Sequence, residues 1–170
     1  SCRNCPIETT LAPHMKKIIG DHMEHFVGNE IQCPKCHKNT LEVLGNHTPS
    51  LDIICSNCKT NYEVKSKCLS IRKLPDDIML HHGNFFDYIN RQEDGLDFII
   101  VIYKVDRKSK TINIRKVLHV PNNVIVNTKS FDVVQRNESS LSTIYIKDHD
   151  DLTTIRLNKK YSYSFRDDID

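Results

Sequence analysis

Two cysteine pairs, Cys33-Pro-Lys-Cys36 and Cys55-Ser-Asn-Cys58, constrain this chain more than any other feature of its sequence. Each is a Cys-x2-Cys knuckle, and their separation is that of a zinc ribbon. Four thiolates complete a tetrahedral zinc shell and leave no position for water or substrate. A metal held there is expected to be structural, its binding free energy appearing as folding free energy. A redox dithiol is the alternative, but nothing around either knuckle reads as a thioredoxin-like unit. A third knuckle, Cys2 with Cys5, precedes His14, His22 and His25. It reads either as half of a second zinc site or as an unligated N-terminal arm. Cys68, left unpaired, is expected as a small core residue at a strand end.

The 170 residues are enough for one compact core, and a hydrophobic content of 38% lies below the globular norm without reaching a disordered composition. One domain is expected over residues 11 to 160, with the ribbon at 33 to 58 inside it. An N-terminal arm (1 to 10) and a polar tail (161 to 170) flank it. With a formal charge of only +2, contact with nucleic acid has to come from a local basic cluster. The opening Ser1-Cys2-Arg3-Asn4-Cys5-Pro6 has no apolar signal-peptide core, so a reducing, cytoplasmic compartment is expected. The bias toward Asn, Ile and Lys is compatible with an AT-rich genome, whether bacterial, phage or viral. No stretch approaches the roughly 18 uninterrupted apolar residues of a membrane helix.

Met15, Ile18, Ile19, Met23, Phe26 and Val27 recur at helical spacing, which predicts an amphipathic helix over 11 to 27. Thr10 is its N-cap, Pro13 lies in its first turn and Gly28 is its terminator. Strands are predicted at 41 to 44, 51 to 55, 62 to 68, 96 to 105, 111 to 120, 131 to 135 and 143 to 146, with a short second helix starting near Gly83. The expected class is α/β, a mixed sheet flanked by helices with an embedded four-cysteine zinc ribbon.

Glu63-Val64-Lys65 places a carboxylate and an amine on one face of a strand, and Asp52 lies on the preceding strand across the knuckle turn. The triplet alone is weak, since about two acid-x-Lys triplets are expected by chance at this composition. Asp106-Arg107-Lys108 is another, read as a solvated turn. What distinguishes the first is a hairpin held at its turn by Cys55 and Cys58 and flanked by Leu51, Ile53, Ile54 and Val64. Charged groups on such strands need partners, and magnesium suits one or two carboxylates plus substrate phosphate. A surface Glu-Lys pair beside an unrelated Asp is the plainer reading.

Pro49-Ser-Leu-Asp52 followed by Glu63-Val-Lys65 resembles the PD-(D/E)xK nuclease signature, its Pro-Asp pair loosened by two residues. Together with Cys33-Pro-Lys-Cys36, Leu51-Asp-Ile-Ile-Cys55-Ser-Asn-Cys58 and Tyr62-Glu-Val-Lys-Ser-Lys67, it resembles the catalytic domain of the DpnI-like, Dam-replacing family of restriction endonucleases. The likeness runs over most of residues 24 to 146, with Glu24 at a spacing like that family's first-helix acid. It implies a PD-(D/E)xK core and a DNA endonuclease with structural zinc and catalytic magnesium. Asp52 and Glu63 would hold magnesium with the Val64 carbonyl, and Lys65 would orient or deprotonate the attacking water. The family's C-terminal winged-helix module has no counterpart in these residues, so neither methylation dependence nor a target sequence is implied.

Lys59, Lys67, Arg72 and Lys73 are the expected DNA contacts around the hairpin, against a reading as solvated charge. His81 and His82, in a predicted Leu80-His-His-Gly83 turn, are either further DNA or catalytic groups or simply exposed. Cutting both strands of double-stranded DNA favours a homodimer or paired encounters of two chains. The competing class is a non-catalytic zinc-ribbon module that binds DNA or assembles with a genome.

Overall fold

The computed structural model describes residues 13–45, 52–68, 78–83, 96–121, 131–135, 141–146 and 153–165. Helix α1 (Pro13–Glu30) opens on a proline, whose fixed φ suits a first turn. Its apolar stripe is what it buries: Ile19, Met23, Phe26 and Val27 are at most 4% exposed. Each such side chain contributes roughly 1.5–3 kcal/mol over leaving it in water. Ile18, expected on the same face, is instead 42% exposed. The helix also passes its expected terminator, continuing to Glu30. Gly28 is required for space rather than for ending the helix, because a Cβ there would lie 2.6 Å from Val43 Cγ2.

The strands are β1 (Leu41–Val43), β2 (Ile53–Cys55), β3 (Asn61–Cys68), β4 (Ile78–Gly83), β5 (Leu96–Asp106), β6 (Thr111–Val120), β7 (Phe131–Gln135), β8 (Leu141–Ile146), β9 (Thr153–Ile155) and β10 (Ser162–Ser164). The main sheet runs β1-β2-β3-β5-β6-β10, with β9 also on β6, and a separate sheet runs β4-β8-β7. Only β3 and β5 are parallel among these pairs. The central strand β5 is buried from Leu96 through Tyr103, as a strand covered on both faces should be.

In the parallel register Val64 lies beside Ile99 and Glu63 beside Phe98. Alternation therefore puts Tyr62, Val64, Ile99 and Val101 on one face and Glu63, Lys65 and Lys67 on the other. The first face packs with α1 in the core, together with Ile53, Cys55 and Val117.

The α/β class and the seven expected strands agree with the structure, with ends shifted by no more than two residues. Strands β4, β9 and β10 were not expected. His81 and His82 lie within β4, paired with Thr143 and Ser142, rather than in a turn. Gly83 ends that strand, and residues 84 to 95, which carry the expected second helix, lie outside the described residues. The start of the expected polar tail pairs instead with β6 through β10, anchored by the buried Tyr161. Its alternating Tyr161-Ser-Tyr163-Ser pattern is short and lies amid polar neighbours. The Asp106 turn is solvated as expected, its Oδ1 accepting the Lys108 and Ser109 amides at 2.9 and 3.2 Å. Among the described residues no helix is long and apolar enough to cross a membrane.

Candidate functional site

The two knuckles are near copies of one another. In the first, the Cys33 amide donates to the Lys38 carbonyl at 2.9 Å and the His37 amide to the Cys33 carbonyl at 2.8 Å. In the second, the Cys55 amide donates to Thr60 and the Lys59 amide to Cys55, both at 2.9 Å. Tightening each turn this way drives the residue after its second cysteine to positive φ, 60° at His37 and 62° at Lys59. Both turns thereby aim two sulfurs inward.

The four Sγ atoms lie within 4.8 Å of one another. Cys33 to Cys58 and Cys36 to Cys55 are each 3.6 Å, against about 3.8 Å for sulfurs at 2.3 Å around a tetrahedral zinc. The donor set fits zinc. Hydroxyls complete its surroundings: Thr40 Oγ1 is 3.0 Å from Cys55 Sγ and Thr60 Oγ1 3.2 Å from Cys58 Sγ. Burial raises the Cys55 thiol, but Thr40 and the Cys58 and Asn57 amides outweigh it and bring the pKa down to about 6. That sulfur is held ready as a thiolate.

Cys33 meets the hydroxyl of Tyr62 at 3.0 Å, deep in the core. Tyr62 is fully buried, and burial followed by the Cys33 contact pushes its phenol well above the usual range, so it stays a donor. Behind it lies a buried pair the sequence reading missed. Asp97 Oδ2 is 2.7 Å from His119 Nε2 and 3.5 Å from Lys35 Nζ, and the His119 ring packs edge-on to Tyr62 at 6.0 Å. A signal was available, because Asp97 and His119 interrupt apolar runs on strands buried on both faces, where a polar group needs a partner. Tyr62→Phe keeps the ring and deletes one donor. It is expected to raise zinc loss to a competing chelator by about 10–100-fold, measured by dye-monitored metal transfer, with the helical and strand signals of circular dichroism unchanged.

On the other side of the second knuckle the acidic residues converge. The β2–β3 register pairs Ile53 with Tyr62, and one further step sets Asp52 opposite Glu63. Asp52 Oδ2 accepts the Val64 amide at 2.8 Å. Lys65 Nζ lies 3.0 Å from Glu63 Oε1, with their side chains 27% and 11% exposed. From α1, next to the buried Met23, Glu24 shares a hydrogen bond with Asp52 and feels Glu63.

The electrostatics follow from this crowding. Burial, then the Asp52 and Asp21 charges, push Glu24 up to about 7, so its protonated carboxyl donates to Asp52. Burial also raises Asp52, and Glu63 adds to the rise, while the Val64 amide and Lys65 oppose it. Asp52 and Glu63 share one lysine, with protonated Glu24 beside Asp52, and such a group can take a cation. Only the four cysteines, among the described residues, bring three or more ligand atoms within 4.8 Å. The looser acidic group suits magnesium, which keeps several waters and takes one or two carboxylates.

The raised Glu24 gives a signed expectation. Between pH 4.5 and 7 the folded state holds this proton more tightly than the unfolded chain, so its contribution is present at low pH and lost as pH rises through about 7. Without magnesium, the thermal midpoint is expected to fall on going from pH 5 to pH 8. Glu24→Gln is expected to flatten that fall, as read by calorimetry.

Of the expected DNA contacts, Lys59 is exposed on the second knuckle and Lys67 is half-buried on β3, while Arg72 and Lys73 lie outside the described residues. So do Cys2 and Cys5. Of the histidines downstream of them, His22 packs edge-on against Tyr163 at 4.2 Å and His25 is exposed. Cys68 is buried at the end of β3 as expected, but it is disulfide-bonded rather than unpaired.

Compared with known proteins, residues 7–157 match the family model described as DpnI, the Dam-replacing family. No curated protein matches the chain.

Proposed function

This chain belongs to the Dam-replacing family, a restriction-endonuclease-like family, and on that premise we propose that it is a magnesium-dependent DNA endonuclease of the PD-(D/E)xK type. The observation that carries the reading is the meeting of Asp52, Glu63 and Lys65 on one hairpin with Glu24 from α1. The family match speaks for a nuclease acting on DNA; the metal and the residue roles are the proposal.

Asp52, Glu63 and the Val64 carbonyl are the magnesium ligands in this reading. When bound, the cation supplies Lewis acidity and an acidified water at the phosphate. The chain's own groups do the rest. The Val64 amide fixes one Asp52 oxygen, leaving the other to face the site. Lys65, its ammonium set by Glu63, orients the attacking water, and the proton that water loses passes through solvent to the leaving oxygen. Water adds to phosphorus, one P–O ester bond breaks, and the products are a phosphate monoester and an alcohol. Glu24, raised in part by the Asp52 charge, would give up its proton if a cation neutralised Asp52. The cysteine cluster holds structural zinc and touches no substrate, since four sulfurs fill its shell.

Calorimetric titration tests the ligand assignment apart from catalysis. Wild-type protein is expected to bind magnesium with release of a proton below about pH 7, and Asp52→Asn with Glu63→Gln to abolish the binding isotherm. An isotherm untouched by both substitutions places the cation elsewhere.

A further inference from the structure

A cleft of about 480 Å³ opens beside the first knuckle, walled on one side by the chain after α1 and on the other by residues 153–161. Its lining is rich in uncharged hydrogen-bonding groups, among them Gln32, Asn39, Thr154 and Asn158. Charge is distributed around it unevenly. Residues 31–40 and 153–165 contain no Asp or Glu, while Asp148, Asp150 and Asp151 precede the second stretch in the sequence and Asp167, Asp168 and Asp170 follow it. Both stretches carry exposed cations: Lys35 and Lys38 on the knuckle, Arg156, Lys159 and Lys160 on the facing segment. Lys35 is partly offset by buried Asp97, and Glu30 at the cleft mouth meets the Tyr161 hydroxyl at 3.4 Å. On the facing segment Lys159 Nζ sits 5.2 Å from the Tyr161 ring centre.

We propose that this cleft and its cationic wall hold the sugar-phosphate backbone of DNA beside the cutting site, a second contact surface besides the hairpin lysines. Cations flanking neutral donors and acceptors match a phosphodiester strand, which offers regularly spaced negative charge and acceptor oxygens but no single strong anion. Position supports the same partner. Glu30, at the mouth, lies six residues beyond Glu24 on α1, about 9 Å along the helix axis. The inference rests on the nuclease reading.

The test is binding of a fluorescein-labelled short duplex, followed by anisotropy without magnesium at several salt concentrations. Arg156→Gln/Lys159→Gln/Lys160→Gln is expected to lower the slope of log affinity against log salt by about 2–3, near one per lost phosphate contact. Arg107→Gln/Lys108→Gln/Lys110→Gln removes equal charge from the β5–β6 turn at the far end of β5 and is expected to change the slope by less than about 0.5. Lys160→Glu alone, at an exposed position, is expected to weaken binding in the same direction as the first triple. Equal slopes for the two triples, or a Lys160→Glu variant that binds like wild type, overturn the proposal while leaving the nuclease reading intact. Failure of wild-type protein to bind any duplex overturns both.

Discussion

Lys65→Ala is expected to cut the magnesium-dependent cleavage rate by about 10²–10³-fold, the usual worth of one positioned donor at a reacting centre. The lysine is the one cation set against the carboxylates, 3.0 Å from Glu63 and lowering the pKa of Asp52 from the level burial imposes. Removing it takes away the group that handles the water and leaves Asp52, Glu63 and Glu24 facing one another uncompensated. The fold should survive, because β3 is held by backbone ladders to β2 and β5 and the Lys65 side chain is 27% exposed. Lys65→Arg keeps the charge but replaces a compact ammonium with a planar guanidinium that places its donors differently. It is expected to bind DNA like wild type and to cleave about as poorly as the alanine variant.

Stripping the zinc is expected to abolish cleavage as well, by a different route. Structural zinc contributes on the order of 10–16 kcal/mol to small domains that need it, as large as the whole stability of a typical one, about 5–15 kcal/mol. Here its ligands lie at both ends of the segment that carries Asp52: Cys33 and Cys36 follow α1, while Cys55 and Cys58 close the turn between β2 and β3. Without the metal, the described ties between the two knuckles are hydrogen bonds such as the Ser56 amide to the Thr40 carbonyl at 2.8 Å. Glu24 and Asp52 would then lose their fixed relation. Chelation should release one zinc per chain and raise amide exchange across β2 and the first half of β3 before β5 and β6. Restoring zinc, and not magnesium, should restore activity. Cleavage that continues in zinc-free protein would show that the cysteines do not hold the site together.

How much of this was legible in the sequence depends on range. The cysteine knuckles were readable because ligand spacing within a tight turn is local, and the quartet closes as expected. The long strands were readable because apolar runs and alternation are local too. The site residues came from a hairpin whose register follows from its own turn, and Glu24 joined them only through family resemblance, since no local pattern links a helix acid to a strand acid. What escaped depended on partners distant in sequence. Asp97 and His119 make sense only once β5 and β6 are paired and Lys35 is folded over them. Strand β10 exists because β6 is long enough to pair with both β9 and β10, which its own few polar residues do not announce. The helix end was misplaced because Gly28 suggested a stop, whereas the close approach of Val43 is what demands glycine.

The central claim, that Asp52, Glu63 and Lys65 form a magnesium-dependent nuclease site, is tested most directly by plasmid cleavage. Purified zinc-loaded protein is incubated with adenine-methylated and unmethylated plasmid, in magnesium and in a magnesium chelator, beside Lys65→Ala and Asp52→Asn of equal zinc content. The account expects nicked or linear product from wild type in magnesium on at least one plasmid, none in the chelator, and none from either variant. Wild-type protein inert on both plasmids, or variants that cut as fast as wild type, would contradict it.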